Sequence, residues 1–355
     1  MPLNLASPGI VVREVDLTSG RVQPASNKIG AIVAPFAKGP VDSPTLVENE
    51  NDLLNNFGEP YSTDKHYESW MVASSYLSYG GSLQVVRADD ADLKNARVAS
   101  VGVATVKIKS LDHYEELGYD ENTIPNVIVA ARNPGSWANG IKVAIIDSKA
   151  DQILSGIVTT LARVGYGVTQ SLTGKADVGT GTSISLTGSY LKGIITEVGA
   201  SSIAVKILSK VSSGNTETIV DYQQDGTYCF TESGIVGIVT TGDSLVSLGT
   251  TSYASELDWF SQQYITPNIQ WNNLAPAPGT SAFAEPRGSR FDEVHVVVID
   301  DLGTVTGNAG TILEKHIGLS KATDAEFSAG STSYWRKYIA AGSANIFAGG
   351  APAGL

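Results

Sequence analysis

The sequence predicts an α+β fold, β-rich and multi-domain, with a small α/β unit near the N-terminus and an inserted all-β domain. Three observations lead there. At 355 residues the chain is long enough for two or three domains with cores of their own. Its 37 glycines and a charged fraction of 17% suit a turn-rich β protein better than a helical bundle. Short β-branched runs recur between Gly, Asn, Asp and Pro, whereas the stretch Lys65 to Tyr79 best fits a helical apolar period.

Residues 1–22 read as an arm. Pro8-Gly9 is a turn, and Ile10, Val11, Val12, Arg13, Glu14 and Val15 have strand composition. A lone terminal strand cannot satisfy its own backbone hydrogen bonds. It needs a sheet edge in its own domain or in a neighbouring copy.

Residues 23–100 form the α/β unit. Ile29 to Phe36 is a strand closed by Lys38-Gly39-Pro40, and Thr45 to Val47 is a short second strand. Glu48 to Phe57 is a short helix, with Asn49 or Asn51 as its cap and Gly58 at its end. In the longer helix, Tyr67, Trp70, Met71, Ser74 and Leu77 recur at spacings of three and four, and Gly80-Gly81 stops it. Leu83 to Ala88 returns as a strand, with Arg87 read as a solvated charge at its end.

Residues 101–150 and 286–355 make a β-rich middle domain. Val98 to Ile108 alternates as a half-buried strand, and the acidic stretch Leu111 to Thr123 reads as a surface loop. Ile124 to Ala131 and Ile141 to Asp147 are strands joined by the turn Asn133 to Gly140, over which Trp137 packs. Val294, Val296, Val297, Val298 and Ile299 form a nearly continuous apolar run, the pattern of a strand buried on both faces. Asp300-Asp301-Leu302-Gly303 is a turn, Val305 opens a short return strand, and Thr311 to Leu319 is either a helix or a strand. Tyr334, Trp335 and Tyr338 share a helical face, and Ile346-Phe347-Ala348 starts a last strand. Residues 151–285, rich in Ser, Thr and Gly with short alternating runs, are the inserted all-β domain. Within it Leu257 to Tyr264 can form a helical turn, and Pro267 to Pro286 is a linker back to the core.

The chain carries no convergent set of reactive groups. His66, His113, His295 and His316 include no pair at metal-ligand spacing, and His295 reads as a satisfied core or edge residue. Asp300-Asp301 reads as a turn cap, because adjacent carboxylates in a strand point to opposite faces. There is no P-loop and no nucleophile elbow, so no catalytic, cofactor-binding or metal residue is assigned and an enzyme is not expected. A net charge of −12 argues against gripping a nucleic-acid backbone or an anionic membrane. Cys229 is the single cysteine, so no intrachain disulfide forms and a reducing compartment fits. No signal peptide opens the chain, and no apolar run approaches 18 residues. If exposed, Trp259, Tyr264 and Trp271 would suit a carbohydrate-binding β-module, a reading from another function class.

Three separated stretches, in order, carry a family resemblance. Ala6 to Val15 reads ASPGIVVREV, Asn133 to Val143 reads NPGSWANGIKV, and Phe291 to Ala325 holds DDLGTVTG followed by LEKHIGLSKATDA. Together they resemble contractile phage tail sheath proteins. The resemblance implies a structural subunit that polymerises with copies of itself as six-fold rings around a tail tube. Contraction of that sheath drives the tube through the host envelope. It implies tail tube, baseplate and tail terminator proteins as partners, no cofactor, no direct nucleic-acid contact and no membrane insertion. The site would be a virion tail, assembled in bacterial host cytoplasm. Pro8, Gly9, Ile10, Val11, Val12, Arg13, Glu14 and Val15 would knit neighbouring subunits, and residues 151–285 would face outward. Nothing in the sequence matches the family's large C-terminal domain. A bacteriocin-like or secretion-type injector sheath remains an alternative setting.

Overall fold

A computed structural model describes residues 29–60, 66–99, 105–148, 150, 152–155, 159–160, 162–164, 166–171, 176–177, 184–185, 187–219, 228–229, 247–248, 259–266 and 268–350. The arm from Pro8 to Val15 therefore lies outside the described residues.

The first unit comprises β1 (Ile29–Ala34), β2 (Thr45–Val47), α1 (Glu50–Phe57), α2 (His66–Ser78) and β3 (Ser82–Arg87). The sheet order is β1-β3-β2, with β1 parallel and β2 antiparallel to β3. Asn49 starts α1 by accepting a hydrogen bond from the Asp52 amide at 2.9 Å. Gly58 ends it at φ +81°, a conformation that favours glycine. Both helices cover one face of the sheet, where Leu53, Phe57, Trp70, Ala73 and Leu77 pack on Leu83 and Val85. The indole of Trp70 also donates to the Gly58 carbonyl at 2.9 Å, tying the two helices together.

Next come β4 (Arg97–Ala99), α3 (Leu111–Glu116), β5 (Val127–Ala131) and β6 (Ile141–Asp147). Two expectations are corrected here. Of the expected strand Val98 to Ile108, the described residues 98–99 belong to β4 and 105–108 are not strand, while 100–104 lie outside the described residues. The buried Asn95 amide takes the place of ladder partners. Its oxygen accepts from the Ile108 amide at 2.7 Å, and its nitrogen donates to the Ala131 carbonyl at 2.8 Å. The acidic stretch holds a helix rather than only a loop. Ser110 caps α3, and Tyr114 is buried beneath it, stacked on Phe347 at 4.4 Å. The acids face water, which is why composition alone suggested a loop.

The middle region runs through β7 (Gln152–Ser155), β8 (Gly167–Ser171), β9 (Ala176–Asp177), β10 (Ile184–Ser185), β11 (Tyr190–Val198), β12 (Ser202–Val211), β13 (Glu217–Ile219), β14 (Tyr228–Cys229), β15 (Ser247–Leu248), β16 (Tyr264–Thr266) and β17 (Ile269–Gln270). Its main antiparallel sheet has the order β13-β12-β11-β8-β15, with β7 also paired to β12. Trp259–Gln262 makes a 3-10 turn, as the helical-turn reading expected. Residues 267–286 are more than a linker: they contain β17, and Trp271 is 1% exposed.

The chain closes with β18 (Glu293–Asp300), β19 (Thr311–Ser320), β20 (Glu326–Ser328), β21 (Ser331–Thr332), α4 (Trp335–Gly342) and β22 (Ile346–Ala348). β6, β18 and β19 are neighbours in an antiparallel sheet, and β4, β5 and β22 form another. Thr311–Ser320 is thus a strand, decided by its pairing with β18. One face of β6 and β18 packs on the β4-β5-β22 sheet and α4 through Val143, Ile145, Val296 and Val298. The other face buries Ala144, Ile146, Val297 and Ile299 against Phe260, Ile265 and Trp271. The apolar run at Val294 to Ile299 is therefore covered on both sides. Val305 opens no strand, because its amide is drawn into a turn by Asp300.

Candidate functional site

The turn 133–140 is the joint between the first unit and the central sheet. Arg87, at the end of β3, is 3% exposed, and this overturns its reading as a solvated charge. Its Nη1 donates to the carbonyls of Gly39 at 3.0 Å and Pro134 at 2.6 Å, and Nη2 donates to Ala37 at 3.3 Å. Burial lowers the Arg87 pKa to about 10, with nearby Asp89 opposing the shift. Gly135 sits at φ +129°, and a Cβ there would stand 2.9 Å from the Ala37 carbonyl, so the close approach needs glycine. Lys38 adds a second link, its Nζ 4.7 Å from the centre of the Trp137 ring. Burial lowers the Lys38 pKa, against the pull of Glu314. Trp137 is itself buried and donates to the Asn133 carbonyl at 3.1 Å.

The turn after β18 meets the same joint. Asp300 Oδ2 accepts from the amides of Val305 at 3.0 Å and Thr306 at 2.7 Å, and from the Thr306 hydroxyl at 2.8 Å. Asp300 is thus a turn cap. Thr304 Oγ1 donates to the Asn139 carbonyl at 3.0 Å, and the Asp301 amide donates to the Gly140 carbonyl at 3.0 Å. Two of the three motif stretches, far apart in sequence, therefore lock together at one corner.

The opposite end of the sheet anchors the middle region. Asp147, 4% exposed, pairs with Lys206 of β12 at 3.8 Å and with Lys321. Asp292 accepts from the Ser281 amide at 2.8 Å and hydroxyl at 2.6 Å, and from the Ser320 hydroxyl. Burial pushes the Asp292 carboxyl up, but these hydrogen bonds outweigh it and hold the pKa below its ordinary value. His295 has both ring nitrogens engaged, at 3.0 Å to the Pro276 carbonyl and 3.0 Å from the Gly318 amide. The amide can only donate, so Nδ1 accepts and the proton sits on Nε2. His295 is a satisfied core residue.

A third cluster fastens α4 and β22 to β19. The Glu314 carboxylate accepts from the Ser343 hydroxyl at 2.6 Å, the Ala344 amide at 2.8 Å and the Asn345 side chain at 2.7 Å, and it pairs with His316 at 2.8 Å. None of these partners was legible as a pair in the sequence. Arg87, Asp147 and Glu314 emerge only from the fold, and their one sequence signal is a charge inside or beside an apolar run.

Outside these joints the first unit carries bare apolar side chains. Ile29 is 57% exposed, Val33 70%, Leu46 46%, Val72 62% and Tyr79 86%. Trp271, by contrast, is buried in the core and cannot serve as an exposed stacking platform. The arrangement described is one of joints and surfaces, in which Arg87, Asp147, Asp292 and Glu314 bond carbonyls, amides, hydroxyls and counter-ions.

No family model matches the chain. The chain is 39% identical over 89 residues to the tail sheath protein of Vibrio phage KVP40, and 39% identical over 90 residues to that of Enterobacteria phage T4. Each match covers 25% of this chain and 13% of the relative, so it spans a small part of either relative's length. Solved sheath tail proteins from Listeria innocua and Desulfitobacterium hafniense align at 10% and 12% identity, over 64% and 69% of this chain and 37% and 40% of theirs. Their TM-scores of 0.24 and 0.22 are too low to carry an argument. On the sequence matches, a quarter of this chain is homologous to phage tail sheath proteins.

Proposed function

We propose that the chain is a structural subunit of a contractile tail sheath. The observation that carries this is 39% identity, over a quarter of the chain, to two phage tail sheath proteins. Copies stack as six-fold rings around a tail tube, and the sheath contracts to drive the tube through the host envelope. The partners are further copies, the tube protein, and the baseplate and terminator proteins at the two ends, all in a virion tail built in the host cytoplasm. Identical heterologous contacts repeated by rotation and rise make an open helix, the symmetry such a sheath requires. An extended packing that is metastable stores the energy that contraction releases. In this reading residues 1–22 are the linking arm, with Pro8 to Val15 as its strand. Residues 23–100 form the α/β unit, 101–150 with 286–355 the middle domain, and 151–285 the outward-facing domain. The subunit performs no catalysis. The joints support a load-transmitting role: Arg87 reaches across to Pro134, Asp147 to Lys206 of β12, and Glu314 makes three hydrogen bonds to the segment leading into β22.

Negative-stain electron microscopy of the purified chain, alone and with a tail tube, tests this. Tubes or stacked six-fold rings are expected. Dispersed particles in both samples overturn the proposal.

A further inference from the structure

Two clefts open at the seam between the first unit and the central sheet. Their volumes are about 530 Å³ and 330 Å³, and Lys38 and Asn55 line both. Asn51, Leu54 and Asn55 line the larger one from a single face of α1, as spacings of three and four require. Trp137, Thr304 and Val305 line it from the two turns of the joint. Lys38 is half-buried there, with its Nζ over the Trp137 ring and, among the described residues, no carboxylate within ion-pair distance. Burial lowers its pKa, and Glu314 opposes the shift without touching it. Glu314 is itself held by His316, Ser343, Ala344 and Asn345. Arg132, in the smaller cleft, gives Nη1 to the Ala340 carbonyl and lies 4.3 Å from the Phe347 ring centre, again without an ion pair among the described residues. A half-buried cation has lost part of its hydration, so an anion brought to it gains more than at an open surface. The one acid lining each cleft, Glu59 or Asp112, is exposed and keeps its own water. That balance of charge suits a singly charged carboxylate better than a phosphate dianion.

We propose that these clefts bind an acidic segment of a partner polypeptide, with an Asp or Glu carboxylate of that segment on the Lys38 ammonium. Leu54 and Val305 offer apolar contact to the stem of the entering side chain. Asn51 and Asn55 offer amide donors and acceptors to the segment's main chain. Two clefts that share two wall residues suit a chain reaching into both better than a single small acid. The site does not depend on the sheath reading, and it is tested on the chain by itself.

The test uses the full chain with labelled hexaglutamate, labelled hexaglutamine and free glutarate. Fluorescence anisotropy is expected to rise with hexaglutamate and not with hexaglutamine. Acetylation of Lys38, mapped by mass spectrometry, is expected to slow when hexaglutamate is present. Lys38→Met should weaken hexaglutamate binding about tenfold, the loss of one charge-assisted hydrogen bond, and Lys38→Arg should retain it. Asn55→Asp, at an exposed position on α1, puts an acid between the two clefts and should weaken binding as well, so a Lys38 variant that fails to fold does not decide the matter. Lys315→Met, at an exposed lysine of β19, should bind like wild type. No binding of hexaglutamate overturns the proposal, and so does binding that leaves Lys38 acetylation unchanged or survives Asn55→Asp intact. Glutarate competing as well as hexaglutamate at equal carboxylate concentration also overturns it, since the ligand would then be a small free acid. None of these outcomes bears on tube formation, which electron microscopy reads separately.

Discussion

The first unit and the β6–β18 sheet use the same kinds of apolar residue, yet leave them in opposite surroundings. Val143, Val296 and Val298 are 0% exposed, whereas Val33 is 70% exposed. Hydrophobicity does not distinguish them; the number of layers does. β6 and β18 have an apolar cluster on each face, but among the described residues the β1-β3-β2 sheet is covered by helices on one side only. Side chains alternate along a strand, so a sheet with a single cover leaves every second residue bare. The central sheet is covered on both faces, whereas among the described residues the first unit's sheet is covered on one.

Mutations can break or sharpen that contrast. The largest effect is expected at the seam between the two regions. Arg87→Ala leaves the carbonyls of Ala37, Gly39 and Pro134 without their donor, and should destabilise the chain by about 3 kcal/mol. A urea midpoint barely moved from wild type would show that the seam is held by other contacts. In the completed core, Val297→Ala opens a cavity between β18 and Phe260, Ile265 or Trp271, at a cost of about 2 kcal/mol.

Glu314 tests the clasp at the edge of that core through pH. Burial pushes its carboxyl up, but hydrogen bonds from His316, Ser343 and Asn345 outweigh this and hold the pKa below 4.5. The folded value is thus lower than the unfolded one. Its contribution is fully present above pH 4.5 and is lost as pH falls through the folded value. Urea melts from pH 7 to pH 3 should therefore show that Glu314→Gln loses less stability than wild type as pH falls through the folded value. An unchanged profile would take Glu314 out of the acid response. The smallest effect belongs to the bare face: Val33→Ser should change monomer stability by under about 0.5 kcal/mol. A loss matching that of Val297→Ala would mean that Val33 is covered, and would erase the contrast.

Local signals in the sequence were legible where the chain decides its own conformation. The spacing of Tyr67, Trp70, Met71, Ser74 and Leu77 marks α2, Asn49 and Gly58 bracket α1, and the apolar run at 294–299 marks β18. The turn chemistry of Asp300 was readable because an aspartate bonds its own following amides. What failed depended on distant partners. Tyr114 draws α3 together by stacking on Phe347, more than two hundred residues away. Arg87 looked like a surface charge because its three carbonyls come from two other loops. The assignment of the arm to Pro8 to Val15 lies outside the described residues and stands as a proposal.

Read alone, then, the chain already specifies strands such as β1, β3, β6 and β18, its two first helices, the Asp300 turn cap and its kinship, since these rest on spacing and on residue types within a few positions. Only the folded chain decides which charges are buried, that 311–320 is a strand and not a helix, and which apolar strands end up covered. Those outcomes depend on what packs across a sheet, and a layer contributed from elsewhere in the sequence leaves no trace in the strand it covers.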